Sequence, residues 1–268
     1  MIYGFLGAGN MAGTIIRGMV KGGFKGSSIN VYNITEAKSQ KLADECGVKV
    51  CKSQSELIES SDVLILSVKP QVLTGLLNSI KLDLQSRKHL IISIAVGKTI
   101  DFLEKGLGED QAIVRVMPNI NAKVLCSTSG YCVNKNVTDE EKEIVEELFS
   151  SVGSITEIPE NMFSIFGVVA GSSPAFVYMY IDSLARAAQR AGMPKAQALE
   201  FAAQTTMGSA KMVLESGIHP LEMADMVCSP GGTTIEGIYA LEEKGFQNTV
   251  FRAFDAVLAK DKFIQNKK

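Results

Sequence analysis

The sequence contains no tryptophan, two histidines and five cysteines, and these shortages exclude several chemistries. His89 and His219 are the whole imidazole supply, and no two cysteines are spaced C-x-x-C, so a zinc site lacks its ligands and no metal is expected. Cys46, Cys51, Cys126, Cys132 and Cys228 are odd in number and offer no closed disulfide framework. Free thiols in a reducing cytoplasm are the economical reading, and a cytoplasmic location is expected. Excess charge is missing as well. Lys and Arg total 27 against 29 Asp and Glu, a net charge of -2. No basic stripe interleaved with aromatics runs through the chain, so nucleic acid is not expected as a partner. Long uncharged runs are few. Residues 1–16 carry no charge, but no basic segment precedes them and they open a glycine motif, unlike a signal peptide. Residues 161–181 are long enough to cross a bilayer. The stretch "AGSSPA" in their middle predicts two buried segments joined by a turn, and no membrane association is expected.

What is present is a two-part pattern. A chain of 268 residues, 46% hydrophobic, has room for two domains. Its first half alternates short apolar runs with amphipathic stretches, the signature of parallel βαβ units. Strands are expected at "IYGFLG" (2–7), "INVYN" (29–33), "DVLILSV" (62–68), "LIISIA" (90–95), "AIVRVM" (112–117) and 129–133, with helices over 36–46, 71–80 and 138–149. "VLIL" is apolar at every position, as strands covered on both faces are. From residue 161 onward helix follows helix: 175–191, 195–216, 221–227, 233–244 and 249–263. The fold class is therefore an α/β Rossmann domain with a doubly wound, mainly parallel sheet over 1–160, followed by an all-α domain over 161–268. The helices "LARAAQRAG" and "EFAAQTTMGSAKMV" are rich in small residues, and "FVYMYI" is apolar nearly all round. Such a helix needs cover on more than one side. A second copy of the chain is the natural cover, so a homo-oligomer built through the helical domain is expected.

"GFLGAGNMA" places Gly7-x-Gly9-x-x-Ala12 directly after the first strand and before a helix. Gly7 makes the tight turn, Gly9 admits a pyrophosphate to the backbone, and Ala12 permits close helix–strand contact. The helix start at Asn10, Met11 and Ala12 supplies N–H groups. In that strand–turn–helix context the pattern predicts a dinucleotide site. An acidic residue at the end of the second strand would bind the ribose of NAD. "VYNITEAK" offers Asn33, Thr35 and Lys38 instead, which suits a 2′-phosphate and favours NADP; Glu36 argues the other way if it turns inward. Loops at the carboxyl ends of parallel strands face the ligand. Ser67, Val68, Lys69 and Pro70 of "SVKPQ", Ala95 of "ISIAVG", and Met117 and Asn119 of "VMPN" are accordingly cofactor candidates. Lys69 also reads as an exposed lysine at a strand end, and Pro70 as the first residue of a helix.

The other conspicuous stretch is "CSPGGTTIEG", 228–237. It reads either as a plain turn that starts a helix or as a helix N-terminus built to hold an anion. With a dinucleotide site upstream, the anion reading is preferred. Gly231 and Gly232 would admit a small carboxylate to the backbone, and Thr233 and Thr234 would present N–H groups on the first turn. His219 in "GIHPLE" reads as a helix cap, and Cys228 as a packed thiol.

Taken together, "GAGNMA", "SVKPQ", "MPN", "GSSPAF" and "CSPGGTTIEG", in this order and spacing, resemble the pyrroline-5-carboxylate reductase family along essentially the whole chain. The resemblance implies NAD(P)H-dependent reduction of a cyclic imine to L-proline, the last step of proline biosynthesis. It implies a Rossmann domain followed by a helical dimerisation domain, in dimers that often form larger rings. It also implies substrate contacts at Ser229 and Thr234, with the catalytic Thr234 hydroxyl near the ring nitrogen. Some positions depart from the family pattern. Ser173 replaces a usual glycine, Ile120 and Asn121 follow "MPN" in place of a small residue and Pro, "AKVLCSTSG" stands where glycine is commoner, and Ile34 stands where Arg is common. Ser173 requires a negative φ. Two alternatives stay open: a β-hydroxyacid dehydrogenase, whose lysine base would be Lys195 or Lys211, and a catalytically silent NADP-binding relative.

Overall fold

The computed structural model describes residues 1–85 and 87–266. Its first unit, Met1–Gly171, is built on one eight-stranded sheet. In chain order the elements are β1 (Tyr3–Leu6), α1 (Asn10–Lys21), β2 (Ile29–Tyr32), α2 (Glu36–Cys46), β3 (Lys49–Val50), α3 (Gln54–Glu59), β4 (Val63–Leu66) and α4 (Pro70–Ile80). They continue with β5 (Leu90–Ser93), α5 (Ile100–Leu107), β6 (Ala112–Met117), β7 (Ser127–Val133), α6 (Asp139–Ser150), β8 (Gly153–Glu157) and α7 (Phe163–Phe166). The sheet order is β3-β2-β1-β4-β5-β6-β7-β8. The first six strands are parallel, β7 runs antiparallel to β6, and β8 runs parallel to β7.

The inner strands form because they bury side chains on both faces. Along β4, Val63 and Ile65 join one core cluster while Leu64 and Leu66 join the other. β5 repeats the alternation, with Ile92 on the first face and Ile91 on the second, as the two-residue period of a pleated strand requires. Helices α1 and α6 cover the first face through residues such as Ile15, Ile16, Leu148 and Phe149. Helices α3, α4 and α5 cover the second through Leu57, Leu73, Leu77 and Leu103. The strand order reverses between β1 and β4, which opens a crevice beyond their carboxyl ends.

The structure departs from the sequence expectations at three points. The two-residue strand β3, not among the strands expected, pairs with β2 at the sheet edge. β8 extends the sheet beyond β7 from residues read as the domain's trailing end. The turn expected at "AGSSPA" does not form. Residues Gly167–Ser172 adopt a π-helix that joins α7 to α8 (Ser173–Arg190), so the run Glu160–Arg190 stays helical through Pro174. That run is long and apolar enough to cross a bilayer, but by length and composition only, a test that core helices also pass. Its opening part packs on the sheet unit, where Phe163, Val168 and Ala170 are buried. The wider π turns accommodate a proline that can donate no hydrogen bond to the carbonyl four residues back.

The second unit, from Ser172 onward, is helical. Four helices follow α8: α9 (Lys195–Ser216), α10 (Pro220–Val227), α11 (Thr233–Glu243) and α12 (Phe246–Asn266). α8 and α9 pack closely around Ala185, Ala198 and Ala202, the small residues that let their axes approach. Among the described residues, α10 and α11 bury nothing. Tyr178, Met179, Phe201, Leu214, Tyr239 and Phe251 are all exposed in the single chain. Apolar surface on this scale marks an interaction face.

Candidate active site

At the end of β1 the backbone turns at Gly7, whose φ is +115 and whose N–H donates to the Tyr32 carbonyl at 2.8 Å. A Cβ at Gly7 would sit 2.8 Å from the Ser67 carbonyl oxygen, so only glycine fits. Gly9 is different. It has an ordinary extended backbone as the N-cap of α1, and a Cβ there would meet only the Ser67 carbonyl, at 3.9 Å. Its missing side chain is therefore not demanded by the protein's own packing. No side chain caps α1 and no acidic residue occupies its first turn, so the N–H groups at Asn10, Met11 and Ala12 start the helix without a competing carboxylate. Ala12 itself is fully buried against the sheet.

Asn33 and Ser67 hold this loop from two sides. The Asn33 Oδ1 accepts from Ala8 N–H at 3.0 Å, and its Nδ2 donates to the Thr35 carbonyl at 3.0 Å. The Ser67 hydroxyl donates to the Gly7 carbonyl at 2.8 Å. Both side chains thus shape the loop.

Gly7, Gly9, Asn33, Thr35, Lys38, Ser67, Val68 and Lys69 line one cleft of about 470 Å³. Thr35 is the N-cap residue of α2 and its hydroxyl makes no capping bond. Among the described residues, two lysines and no carboxylate face the cleft, and Glu36 is not in its wall. A cation-only cleft beside an uncapped helix start fits a phosphorylated dinucleotide. Sequence reasoning missed the far wall, where the Ser79 hydroxyl donates to Gln54 Oε1 at 2.8 Å. These residues lie on α3 and α4 with no local motif to mark them. Pro70 is the first residue of α4, with Lys69 as N-cap.

Ala95, Met117 and Asn119 follow or end β5 and β6 on the same sheet edge but lie outside that cleft. Asn119 is almost fully buried. Its Oδ1 accepts from Asn121 N–H at 3.1 Å and its Nδ2 donates to the Ala170 carbonyl at 3.0 Å. Ser173 sits in helical backbone, and Leu125 is the one non-glycine residue with a positive φ among those described, so the serine meets no backbone penalty.

In the second unit, Gly232 N–H donates to the Ser229 carbonyl at 2.9 Å across Pro230 and Gly231. Gly231 has φ +67, and Pro followed by such a glycine makes a type II turn. A Cβ on Gly232 would collide with the Ser229 hydroxyl. Gly232 is the N-cap of α11 and offers no side chain to it, so Thr233 and Thr234 open an exposed, uncapped helix. His219 accepts from Leu221 N–H through Nδ1 at 3.3 Å, as a helix cap does. Lys195 and Lys211 are exposed, and Lys211 pairs with Glu215 at 3.6 Å, so neither has the enclosed setting of a lysine base. Among the described residues no three His, Cys, Asp or Glu side chains are grouped to hold a metal.

Two family models match the chain. One is described as pyrroline-5-carboxylate reductase dimerisation, over residues 160–264. The other is described as NADP oxidoreductase coenzyme F420-dependent, over residues 2–97. The pyrroline-5-carboxylate reductase of Escherichia coli K12 is 42% identical over 258 residues, covering 96% of each chain. A solved structure of the Coxiella burnetii pyrroline-5-carboxylate reductase matches with TM-score 0.92 and 31% identity, covering 97% of both chains. The Plasmodium falciparum enzyme, solved with NADP bound, matches with TM-score 0.87 and 33% identity, covering 99% of this chain and 98% of that one.

Proposed function

The chain belongs to the pyrroline-5-carboxylate reductase family, and from that premise we propose how its own residues divide the work. It is an NADP-dependent oxidoreductase that reduces 1-pyrroline-5-carboxylate to L-proline. Residues 1–160 form the dinucleotide domain and 161–268 the substrate and dimerisation domain. The observation that carries the division is a second anion-ready helix start, α11, in a chain whose first helix start fits a dinucleotide.

NADPH, when bound, supplies the hydride that the imine carbon accepts. The α1 N-terminus behind Gly9 takes the pyrophosphate, and Gly7, Asn33 and Ser67 keep the loop in the shape that allows it. Thr35 and Lys38 take the 2′-phosphate; Asn33 is already engaged by Ala8 and Thr35 and contributes through the loop. Val68 and Lys69 border the cofactor from the loop after β4, while Ala95, Met117 and Asn119 shape the sheet edge beside it.

The substrate's carboxylate goes to α11. Gly231 and Gly232 leave its start open, the N–H groups of Thr233 and Thr234 receive the negative charge, and the Ser229 hydroxyl adds a polar contact. The Thr234 hydroxyl holds the ring nitrogen. The protonated cyclic imine is already electrophilic and keeps its proton as the amine forms, so no separate general acid is required. Positioning then supplies most of the rate.

The helical domain makes the chain oligomeric. A dimer is the unit we assign, with a ring of dimers as its larger form. The five free thiols suit a reducing cytoplasm. Steady-state turnover of 1-pyrroline-5-carboxylate with NADPH tests the whole reading. Proline formed at a rate linear in enzyme supports it, whereas tight NADPH binding without turnover would identify a silent relative.

A further inference from the structure

Residues 94–99, which join β5 to α5, are anchored at both ends and unsupported between. At the entry Ile94 N–H donates to the Leu66 carbonyl at 3.2 Å, and Ala95 N–H to the Ser93 hydroxyl at 3.4 Å. In the middle Val96 is 62% exposed, and Gly97, at φ +74, has no atom within 4 Å of where a Cβ would stand. At the exit the Thr99 hydroxyl caps α5 by accepting from Phe102 N–H at 3.2 Å. That leaves the Ile100 N–H, a helix-start donor with no acceptor inside the helix. Its acceptor stands 60 positions away in the chain: Glu160 Oε1, at 2.8 Å.

Glu160 is held in turn. The same oxygen accepts from Nη1 of Arg115, on β6, at 3.0 Å. That arginine is almost fully buried, with its guanidinium 4.1 Å from the centre of the Phe163 ring. A buried ion pair is a poor source of stability, because apolar side chains of similar size often do as well. What this pair delivers is a fixed, charged acceptor, and a charge-assisted bond to a backbone N–H is the stronger kind. All of these groups belong to the sheet unit.

The loop's place on the sheet gives the tie its purpose. Thr35 and Lys38, assigned to the 2′-phosphate, follow β2, and α1 follows β1. A dinucleotide laid across the reversal between β1 and β4 carries its other half toward β4 and β5, whose carboxyl ends lead into residues 67–69 and 94–99. We propose that Glu160 is a positioning residue for the reduction: by accepting the Ile100 N–H it sets the exit of the β5–α5 loop, and with it the wall against which the nicotinamide half rests. The inference rests on the reductase reading above, and Glu160 acts through the loop, not by contact with either ligand. A displaced loop degrades alignment of the reacting groups, to which rate is far more sensitive than binding is.

Two measurements on the full-length enzyme test it, one of them independent of turnover. Glu160→Ala removes the acceptor. Glu160→Gln keeps an oxygen for the same N–H but leaves Arg115 without its counter-charge. Ile100→Pro removes the donor at the first helical position, where proline is accepted, after a Thr99 whose ψ of 165° suits it. In the protein without ligands, Glu160→Ala should speed amide exchange at Ile100 by on the order of tenfold, and Glu160→Gln by no more than about threefold. In turnover, Glu160→Ala should lower kcat by about tenfold with the NADPH Kd within about twofold, since the phosphate sites are untouched. Glu160→Gln should lower Tm yet keep kcat within about threefold of the parent. Ile100→Pro should match Glu160→Ala, and the double variant should lose no more than either, as the two ends of one bond do.

A Glu160→Gln enzyme as slow as Glu160→Ala would overturn the proposal, because the ion pair and not the bond to Ile100 would then matter. So would additive losses in the double variant, unchanged exchange or unchanged kcat in Glu160→Ala, or an NADPH affinity that falls in step with kcat. Failure of the parent enzyme to reduce 1-pyrroline-5-carboxylate would count against the functional reading instead, and the exchange result is separate from it.

Discussion

Asn33 accepts the Ala8 N–H at 3.0 Å, joining the end of β2 to the glycine loop that follows β1. A residue at the position where dinucleotide domains often recognise a ribose is thus spent on holding the neighbouring loop. Its amide is spent as well, on the Thr35 carbonyl. Substitution here should act on the shape of the phosphate site and on the charge beside it, and the two effects can be separated.

Asn33→Asp keeps the acceptor for Ala8 N–H and adds a negative charge beside Thr35 and Lys38. A carboxylate repels a 2′-phosphate and favours a free ribose hydroxyl. The ratio of kcat/KM for NADPH over NADH should fall by on the order of tenfold or more. Asn33→Ala leaves the Ala8 N–H without its partner and should cost about 1–3 kcal/mol of stability, read from urea unfolding. An unchanged cofactor ratio in Asn33→Asp would remove the 2′-phosphate from this corner of the cleft.

Gly7 and Gly9 should fail in different ways. Gly7→Ala puts a Cβ against the Ser67 carbonyl at φ +115, so the protein itself should lose stability. Gly9→Val has room in the protein, with the nearest atom 3.9 Å from the Cβ, but fills the space assigned to the pyrophosphate. Its Tm should stay within about two degrees of the parent while NADPH fluorescence titration shows no binding. Normal titration would mean that the pyrophosphate lies elsewhere.

Much of this was legible in the sequence, for a physical reason. Parallel strands buried on both faces read as unbroken apolar runs, so β1, β4, β5 and β6 announce themselves, and the first glycine motif falls where a strand meets a helix. β8 was hidden because "GSITE" lies at the sheet edge with Ser154, Thr156 and Glu157 exposed or half-exposed, a pattern that reads as a polar connection. The helix through Pro174 was hidden for another reason. Local rules break a helix at proline, and the side chain that donates to the nearby Ala170 carbonyl, Asn119, stands 51 positions before that residue in the chain. The hydrogen bonds that Asn33 and Asn119 make within the chain were hidden alike, since a strand-end asparagine in a ligand-facing loop gives no local sign of which backbone groups occupy it.

Thr234→Val removes a hydroxyl and keeps the shape of the first turn of α11. Turnover should fall by on the order of tenfold, with NADPH affinity largely unchanged, because the hydroxyl is assigned to the substrate ring nitrogen. Presteady-state hydride transfer and fluorescence titration measure the two quantities separately. Unchanged turnover would take Thr234 out of the mechanism.

Met179 is 71% exposed in the single chain, midway along an α8 whose neighbours Tyr178 and Tyr180 are exposed too. With so little of the second unit's apolar surface buried within one chain, its folding should depend on association. Sedimentation should show a dimer or larger species whose Tm rises with protein concentration. Met179→Glu should shift it toward monomer and lower Tm markedly, since an unpaired charge at a buried interface is costly. A monomer of undiminished Tm would contradict the assignment of this face.

His89 supplies the last test, on stability alone. It is buried, and its Nε2 lies 3.1 Å from the Ile58 carbonyl oxygen, which only a protonated Nε2 can satisfy. Burial holds its pKa below the ordinary imidazole value, outweighing the opposing pull of the Ile58 and Arg87 backbone. In the unfolded chain the ring takes up a proton below about pH 6.5. The unfolded state therefore binds more protons between that value and the lower folded pKa, and stability must drop as pH falls through the window, by up to about 1.4 kcal/mol per pH unit. Urea midpoints should be flat from about pH 7 to 8 and decline below about 6.5. His89→Gln keeps an N–H for Ile58 and cannot titrate, so its decline should begin only where carboxylates protonate. An identical slope in parent and variant would show that another group drives the acid loss.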